Sequence, residues 1–296
     1  MSARFKRRES VRHGFRRIAT EQLDGILADL AGNEGPPDIH NARRRCKLTR
    51  ALLRLLRQGL EDADFREENT RIRNLARSLS AARDAQVRLR TFGQLLALPD
   101  APSAAPYGPL HDWLRREAAD TRAEMLTPLA LSRARSGVRR IQARLAHITL
   151  GRGGWRLLAA GLRRSYRDAR RAFRAAVDTP SDVTHHEWRK RVKDLWNHVR
   201  LIRGAHPRKL SALIEQLDAL GELLGDDHDL AVLRAHLVTP GAQCVSAANF
   251  AQLDALIAHR RDSLLRVAQK LGVLACGEKP SDFLKRVQGW WYAWHK

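Results

Sequence analysis

The sequence predicts an all-α protein made of two related helical units, and three observations carry that prediction. Apolar residues recur at helical spacing through almost every stretch between breakers, and no run of alternating β-branched residues suggests a sheet. The breakers themselves are sharp: "GNEGPPD" (32–38), "LPDAPSAAPYGP" (98–109), "GRGG" (151–154), "DTPSD" (178–182), "GAHP" (204–207), "TPGAQ" (239–243) and "CGEKPSD" (276–282). Third, "HNARRRCKLTRALLRLLR" (40–57) lies without a gap over "HEWRKRVKDLWNHVRLIR" (186–203), the mark of an internal duplication.

Taken in order, the breakers leave a basic segment at 1–9 and helices near 10–31, 38–60, 66–97, 109–148, 155–177, 182–203, 208–237, 246–274 and 282–294. Pro128 is expected to break or kink the fourth of these, because it lacks the N–H that an interior turn needs. Asp38, Ser181 or Asp182, and Ser281 stand where an N-cap is wanted. The duplication extends beyond the paired segments. Upstream, "GFRR" (14–17) answers "GLRR" (161–164), and downstream "RDAQV" (83–87) answers "HDLAV" (228–232). A GxRR helix, a His helix and an [RH]D helix therefore follow one another twice, in repeats expected over 10–150 and 151–296. Each repeat has at least four helical stretches, enough to close a bundle.

At 296 residues and 44% apolar content the chain can bury a real core. Its net charge is +22, with Arg outnumbering Lys 45 to 9. Residues 1–150 hold 29 basic and 17 acidic groups, and residues 151–296 hold 25 and 15, so the charge belongs to both repeats. A field of that size opposes folding by self-repulsion and attracts polyanions. Guanidinium forks match phosphate oxygens in pairs, although a GC-rich genome also raises Arg content. Cys46, Cys244 and Cys276 are odd in number and far apart, which fits a reducing compartment and excludes a paired-cysteine zinc site. No run approaches 18 apolar residues, so no membrane insertion is expected. The basic start lacks the apolar stretch of a secretory signal.

The His helices concentrate the chemistry. With His40 at zero on a helical wheel, Arg43, Arg44, Lys47, Arg50, Arg54 and Arg57 fall within roughly 140°. The opposite side carries Ala42, Cys46, Thr49, Leu52, Leu53 and Leu56. In the second repeat the same arc holds His186, Arg189, Lys190, Lys193, Arg200 and Arg203, with Trp196 in place of Arg50. Ile39 to Leu60 contains seven basic residues and no acid. Like charges at i and i+4 destabilise a helix, so local stability does not explain the stripe. A merely solvated face usually mixes its signs. A histidine at the head of such a stripe is a donor to an anion when protonated.

Other segments admit their own readings. "GELLGDDHDL" (221–230) offers Asp226, Asp227, His228 and Asp229 to a metal. Its counterpart keeps only Asp84, and Asp84 and Asp229 read better as groups that orient the arginines of the His helices. "WWYAW" (290–294) has the aromatics to stack on bases, but it reads better as the seal of a bundle. "RARSGVRRIQARL" (133–145) and "RRSYRDARRAFR" (163–174) are further basic runs, in the groove or on a peripheral face.

The doubled H-x-x-R-[RK]-x-x-K pattern, the [RH]D-x-x-V segments and the aromatic end "FLKRVQGWWYAWHK" resemble the CHAD family, the conserved-histidine α-helical domain, over about residues 10–296. The resemblance implies two four-helix-bundle repeats related by a pseudo-twofold, with basic surfaces converging on a central groove. It implies binding of inorganic polyphosphate by a cytoplasmic protein, in association with polyphosphate granules. Carried over by position, it points to His40, Arg43, Arg44, Lys47 and Arg50, and to His186, Arg189, Lys190 and Lys193. Arg54 and Arg200 continue the two stripes, and by analogy the GxRR helices add Arg16, Arg17, Arg163 and Arg164. Asp194 and Trp196 depart from the basic character of the first copy, so a weaker grip is expected in the second half.

The expected function is non-enzymatic, with no cofactor and no metal, since the sequence offers no nucleophile–base constellation and no glycine-rich phosphate loop. The alternatives are a basic helical protein binding nucleic acid non-specifically, and a metal-dependent polyphosphate or triphosphate hydrolase. Against the first, no helix-turn-helix, zinc-finger or RNA-stacking signature is found.

Overall fold

A computed structural model describes residues 3–32, 35–151, 153–238 and 245–296, which form α-helices, short 3₁₀ turns and connecting segments, with no strand among the described residues. The helices are α1 (Val11–Ala31), α2 (Ile39–Leu55), α3 (Asp62–Ser78), α4 (Ala81–Leu96), α5 (Gly108–Met125), α6 (Pro128–His147), α7 (Trp155–Asp178), α8 (Asp182–Leu201), α9 (Pro207–Leu237), α10 (Ala247–Cys276) and α11 (Pro280–His295). The breaker at 239–243 and Cys244 lie outside the described residues, as do Met1, Ser2, Asn33, Glu34 and Arg152.

Local chemistry sets most boundaries. The Asp38 carboxylate accepts from the Asn41 N–H at 2.9 Å, and Ser181 forms a reciprocal capping box with Thr184. Ser281 does not cap α11. Pro280 occupies the first turn there, where its fixed φ and missing N–H are no cost, which leaves Ser281 inside the helix with its hydroxyl on Asp282. The 109–148 stretch divides where Pro128 opens α6, with the Thr127 hydroxyl accepting from the Ala130 N–H at 3.2 Å.

The stretch expected as one helix over 66–97 is two, divided at Leu79–Ser80 without a proline or glycine. Packing overrides propensity at this point. α3 lies against α2 and α6, whereas α4 turns away to pack on α5 and α9. Leu79 and Ala82 are buried at the corner.

Helices α1, α2, α3 and α6 pack side by side, as do α7 with α8, α8 with α9, and α9 with α10. The two groups meet where α2 lies on α7 and α8, and one hydrophobic core runs through both. The closest approach explains a motif: a Cβ on Gly161 would stand 2.0 Å from the Leu55 carbonyl oxygen. In the other GxRR segment a Cβ on Gly14 would meet the Phe5 ring at 2.5 Å. The repeated glycine is therefore a packing requirement in both copies.

A second core, with Phe92, Tyr107, Leu114, Leu233 and Leu253, holds the α4–α5 hairpin to α9 and α10. The basic N-terminal segment is docked, because Phe5 is apolar enough to join the core. Phe5 is buried, its N–H donates to the Leu201 carbonyl at 2.8 Å, and its ring meets Trp291 edge-on. The "WWYAW" segment seals this end, with Trp291 buried against Trp155 and Trp294.

A candidate anion-binding groove

The two His helices run along one cavity of about 760 Å³. Its lining includes His40, Arg43, Arg44 and Lys47 from α2 and Arg189 and Lys193 from α8. Helix α4 adds Arg83, Asp84, Arg88 and Arg90, and α9 adds Glu222, Asp226, His228 and Asp229. The apolar sides of the His helices hold the cationic stripes toward this space: Cys46 and Leu52 on α2, and Trp188, Val192 and Leu195 on α8, are buried. Gly221 lets Lys193 lie flat along α9, since a Cβ there would meet the lysine Cε at 2.7 Å.

Several groove cations carry their own counter-charge. Arg88 pairs with Glu117 at 2.8 Å, Arg90 with Asp229 at 3.6 Å, and Lys193 with Asp218 at 3.3 Å. Arg43 donates to the Ala76 carbonyl at 2.6 Å. Arg44, Lys47, Arg83 and Arg189 have no hydrogen-bond or ion-pair partner among the described residues, and the buried Nε of Arg189 is unsatisfied. A buried donor left unpaired is costly, so this cavity is poised to accept an acceptor-rich ligand.

The electrostatics agree. Desolvation between the groove walls, together with Arg43, Arg189 and Lys193, pulls the Lys47 pKa down to about 8, although the residue is exposed. Burial and then the charge of Arg83 lower the His40 pKa. Burial, Arg189 and Lys190 lower that of His186, whose ring lies 4.3 Å from that of His228. Burial and Arg189 push His228 down to about 4. Burial raises the pKa of Asp226 and Asp229 in spite of the arginines around them. Each shift opposes ionisation, as crowding of like charges and removal from water require.

The remaining predicted site residues sit elsewhere. A cavity at the N-terminal turns of α2 cannot use a stripe along its whole length. Arg50 donates to Asn69 at 3.1 Å, and Arg54 crosses to Asp194 on α8 at 2.6 Å, tying the halves together. His186 reaches the edge through His228, whereas Lys190 points out and pairs with Glu187 at 2.6 Å. Arg200 covers the Trp196 ring at 4.2 Å. Arg16, Arg163 and Arg164 do not line the cavity, and Arg17 is held by Glu9 and Glu21 at 2.6 and 3.0 Å.

The cations that sequence reasoning missed are Arg83, Arg88 and Arg90. A signal was present: Arg83, Asp84 and Val87 match His228, Asp229 and Val232 in the duplicated [RH]D-x-x-V segment, and all six line the cavity. Contrary to the expectation, the acids of that motif make no hydrogen bond to the His-helix arginines. Asp229 pairs with Arg90 instead, while Asp84 acts on Arg43 only through its charge. The "DDHD" run is divided by the turn of α9. Asp226 and Asp229 face the groove, and Asp227 is buried against Arg261 at 2.8 Å. Among the described residues no group of three or more His, Cys, Asp or Glu is arranged to hold a metal ion. No described helix is long and apolar enough to cross a membrane.

An all-helical chain with two His helices on one basic cavity defines a class, and sequence comparison gives the family. The family model described as the CHAD domain matches residues 17–238, and the chain belongs to that family. Among solved structures it is similar to PptA from Streptomyces chartreusis, at TM-score 0.67 and 16% identity, covering 91% of this chain and 100% of that one. It is also similar to the CHAD domain from the plant Ricinus communis, at TM-score 0.57 and 16% identity, covering 99% of this chain and 95% of that one. At such identity the likeness is one of fold. No curated protein sequence matches the chain.

Proposed function

We propose that the groove binds inorganic polyphosphate and that the protein acts as a binder, not as an enzyme. The observation that carries this reading is the set of unpaired cations, Arg44, Lys47, Arg83 and Arg189, brought to one cavity from three helices. Polyphosphate is a line of acceptor oxygens without bases, and guanidinium and ammonium donors are its natural partners. His40 and His186 become further donors as a bound anion draws protons onto them. Of the residues predicted from sequence, His40, Arg43, Arg44, Lys47, Arg189 and Lys193 form the site on this reading, with His186 at its edge.

The test is competition. Labelled long-chain polyphosphate is bound at near-physiological salt and challenged with unlabelled polyphosphate, duplex DNA or RNA. Displacement by polyphosphate alone is expected; equal displacement by nucleic acid at matched charge overturns the preference. Phosphate release on adding a divalent cation would instead establish a hydrolase.

A further inference from the structure

A second cavity, of about 500 Å³, lies between α3 and α6 and shares no lining residue with the groove. Its floor is apolar: Leu75, Leu79, Ala134 and Ile141 are buried and line it, together with Met125 from the end of α5. Its rim is cationic, with Arg71, Arg133 and Arg140 and no acidic residue in the lining. Arg71 is held by Glu67 and Glu68, each at 3.3 Å. Arg133 and Arg140 have no hydrogen-bond or ion-pair partner among the described residues.

The glycine in this wall is unexplained by packing. Gly272, on α10, is closed in by aromatic rings, since a Cβ there would meet Phe173 and Trp188 at 2.7 Å. A Cβ on Gly137 would meet only Leu75, at 4.0 Å. Glycine inside a helix is destabilising relative to alanine, and the missing side chain at Gly137 leaves this space open, as at Gly93 and Gly289, which line neither cavity. A largely apolar space of this size, with polar groups on α3 and α6 around it, has the dimensions of a small-molecule site.

We propose that this cavity binds an anionic amphiphile, a carboxylate-headed acyl chain with its tail over Gly137 and its head against Arg133 and Arg140. The apolar floor excludes a polymer of phosphates, and the unpaired guanidinium groups select an anionic head over a neutral one. The proposal does not depend on the groove's ligand.

Dodecanoate below its micellar concentration is titrated into the full chain by calorimetry, beside dodecanol and vesicles of anionic phospholipid. Saturable binding of one dodecanoate is expected, unaffected by Arg44→Gln with Lys47→Gln. Gly137→Leu, whose Cβ would meet only the Leu75 side chain, fills the space, so its melting temperature is expected to be equal or higher, with affinity at least about tenfold weaker. Arg133→Gln with Arg140→Gln is expected to weaken dodecanoate about tenfold and leave dodecanol unchanged. No saturable binding to the wild type, undiminished binding to Gly137→Leu, or binding to vesicles alone overturns the proposal.

Discussion

The salt dependence of polyphosphate binding can be worked from the groove. Eight cations line it, but Arg88 and Arg90 already face carboxylates. Six remain for phosphates: Arg43, Arg44, Lys47, Arg83, Arg189 and Lys193, the last after leaving Asp218. If each neutralises one phosphate and releases counterions as on a single-stranded polyanion, log K falls against log salt with a slope of about −4. Between 50 and 200 mM salt the affinity should then drop about 250-fold. Arg44→Gln with Lys47→Gln removes two contacts, giving a slope of about −2.8 and a drop of about 50-fold over the same range. Arg88→Gln with Glu117→Gln deletes a neutral pair and should leave the slope unchanged. Fluorescence anisotropy of labelled polyphosphate at pH 7, across a salt series, measures all three. A double variant at Arg44 and Lys47 that keeps the wild-type slope refutes the assignment of the groove, and so does a paired variant at Arg88 and Glu117 that loses as much.

Two further outcomes follow from protonation. Lys47 titrates near 8 in the free groove, and a bound anion favours its charged form, so binding at pH 8 should draw about half a proton onto it and affinity should fall as pH rises above 8. Calorimetry in two buffers of different ionisation enthalpy reads that proton, and an undiminished uptake in Lys47→Arg would contradict the assignment. His198 is buried, hydrogen-bonded through Nε2 to the Ala51 carbonyl at 2.9 Å, and burial holds its pKa down to about 3. Its neutral form is native while the unfolded chain titrates near 6.5, so its contribution is complete above 6.5 and is lost as pH falls toward 3. Between pH 7 and pH 5 that loss is about 2 kcal/mol by urea unfolding, and His198→Gln should show a correspondingly smaller loss; an identical pH slope in both proteins rejects the account.

Helix identity was legible from spacing and punctuation, because Asp38, Ser181 and Pro128 act on the few residues beside them. The corner at Leu79–Ser80 was not, since nothing local forbids a helix there and the break answers to partners distant in sequence. The His-helix stripe was legible as a cationic face, but a wheel has no end, so it did not tell which turns face a cavity. Arg54 matches Arg44 in type and arc, and it is spent on Asp194 of the other repeat. The GxRR motif shows the opposite error. Its arginines drew attention, whereas the close approach of Gly161 to Leu55 and of Gly14 to Phe5 accounts for its repetition.

If the groove binds polyphosphate as proposed, its acids bear on selectivity. Glu222, Asp226 and Asp229 stand at i, i+4 and i+7 on α9, so one carboxylate face shares the cavity with the cationic turns of α2 and α8. A site built only for affinity would have no such wall, because it repels every polyanion. Its effect depends on width. A thin chain can lie along α2 and α8 and leave the α9 carboxylates in water or paired, as Asp229 is with Arg90. A duplex, with phosphates on two strands and a diameter far beyond this cavity, cannot take the floor without bringing charge against that wall. On the proposed reading the carboxylates are the repulsive element that discrimination between similar charges requires. Their raised pKa values give this a sign: acid protonates Asp226 and Asp229 before an ordinary aspartate, the wall loses charge, and selectivity against nucleic acid weakens as pH falls while overall affinity rises.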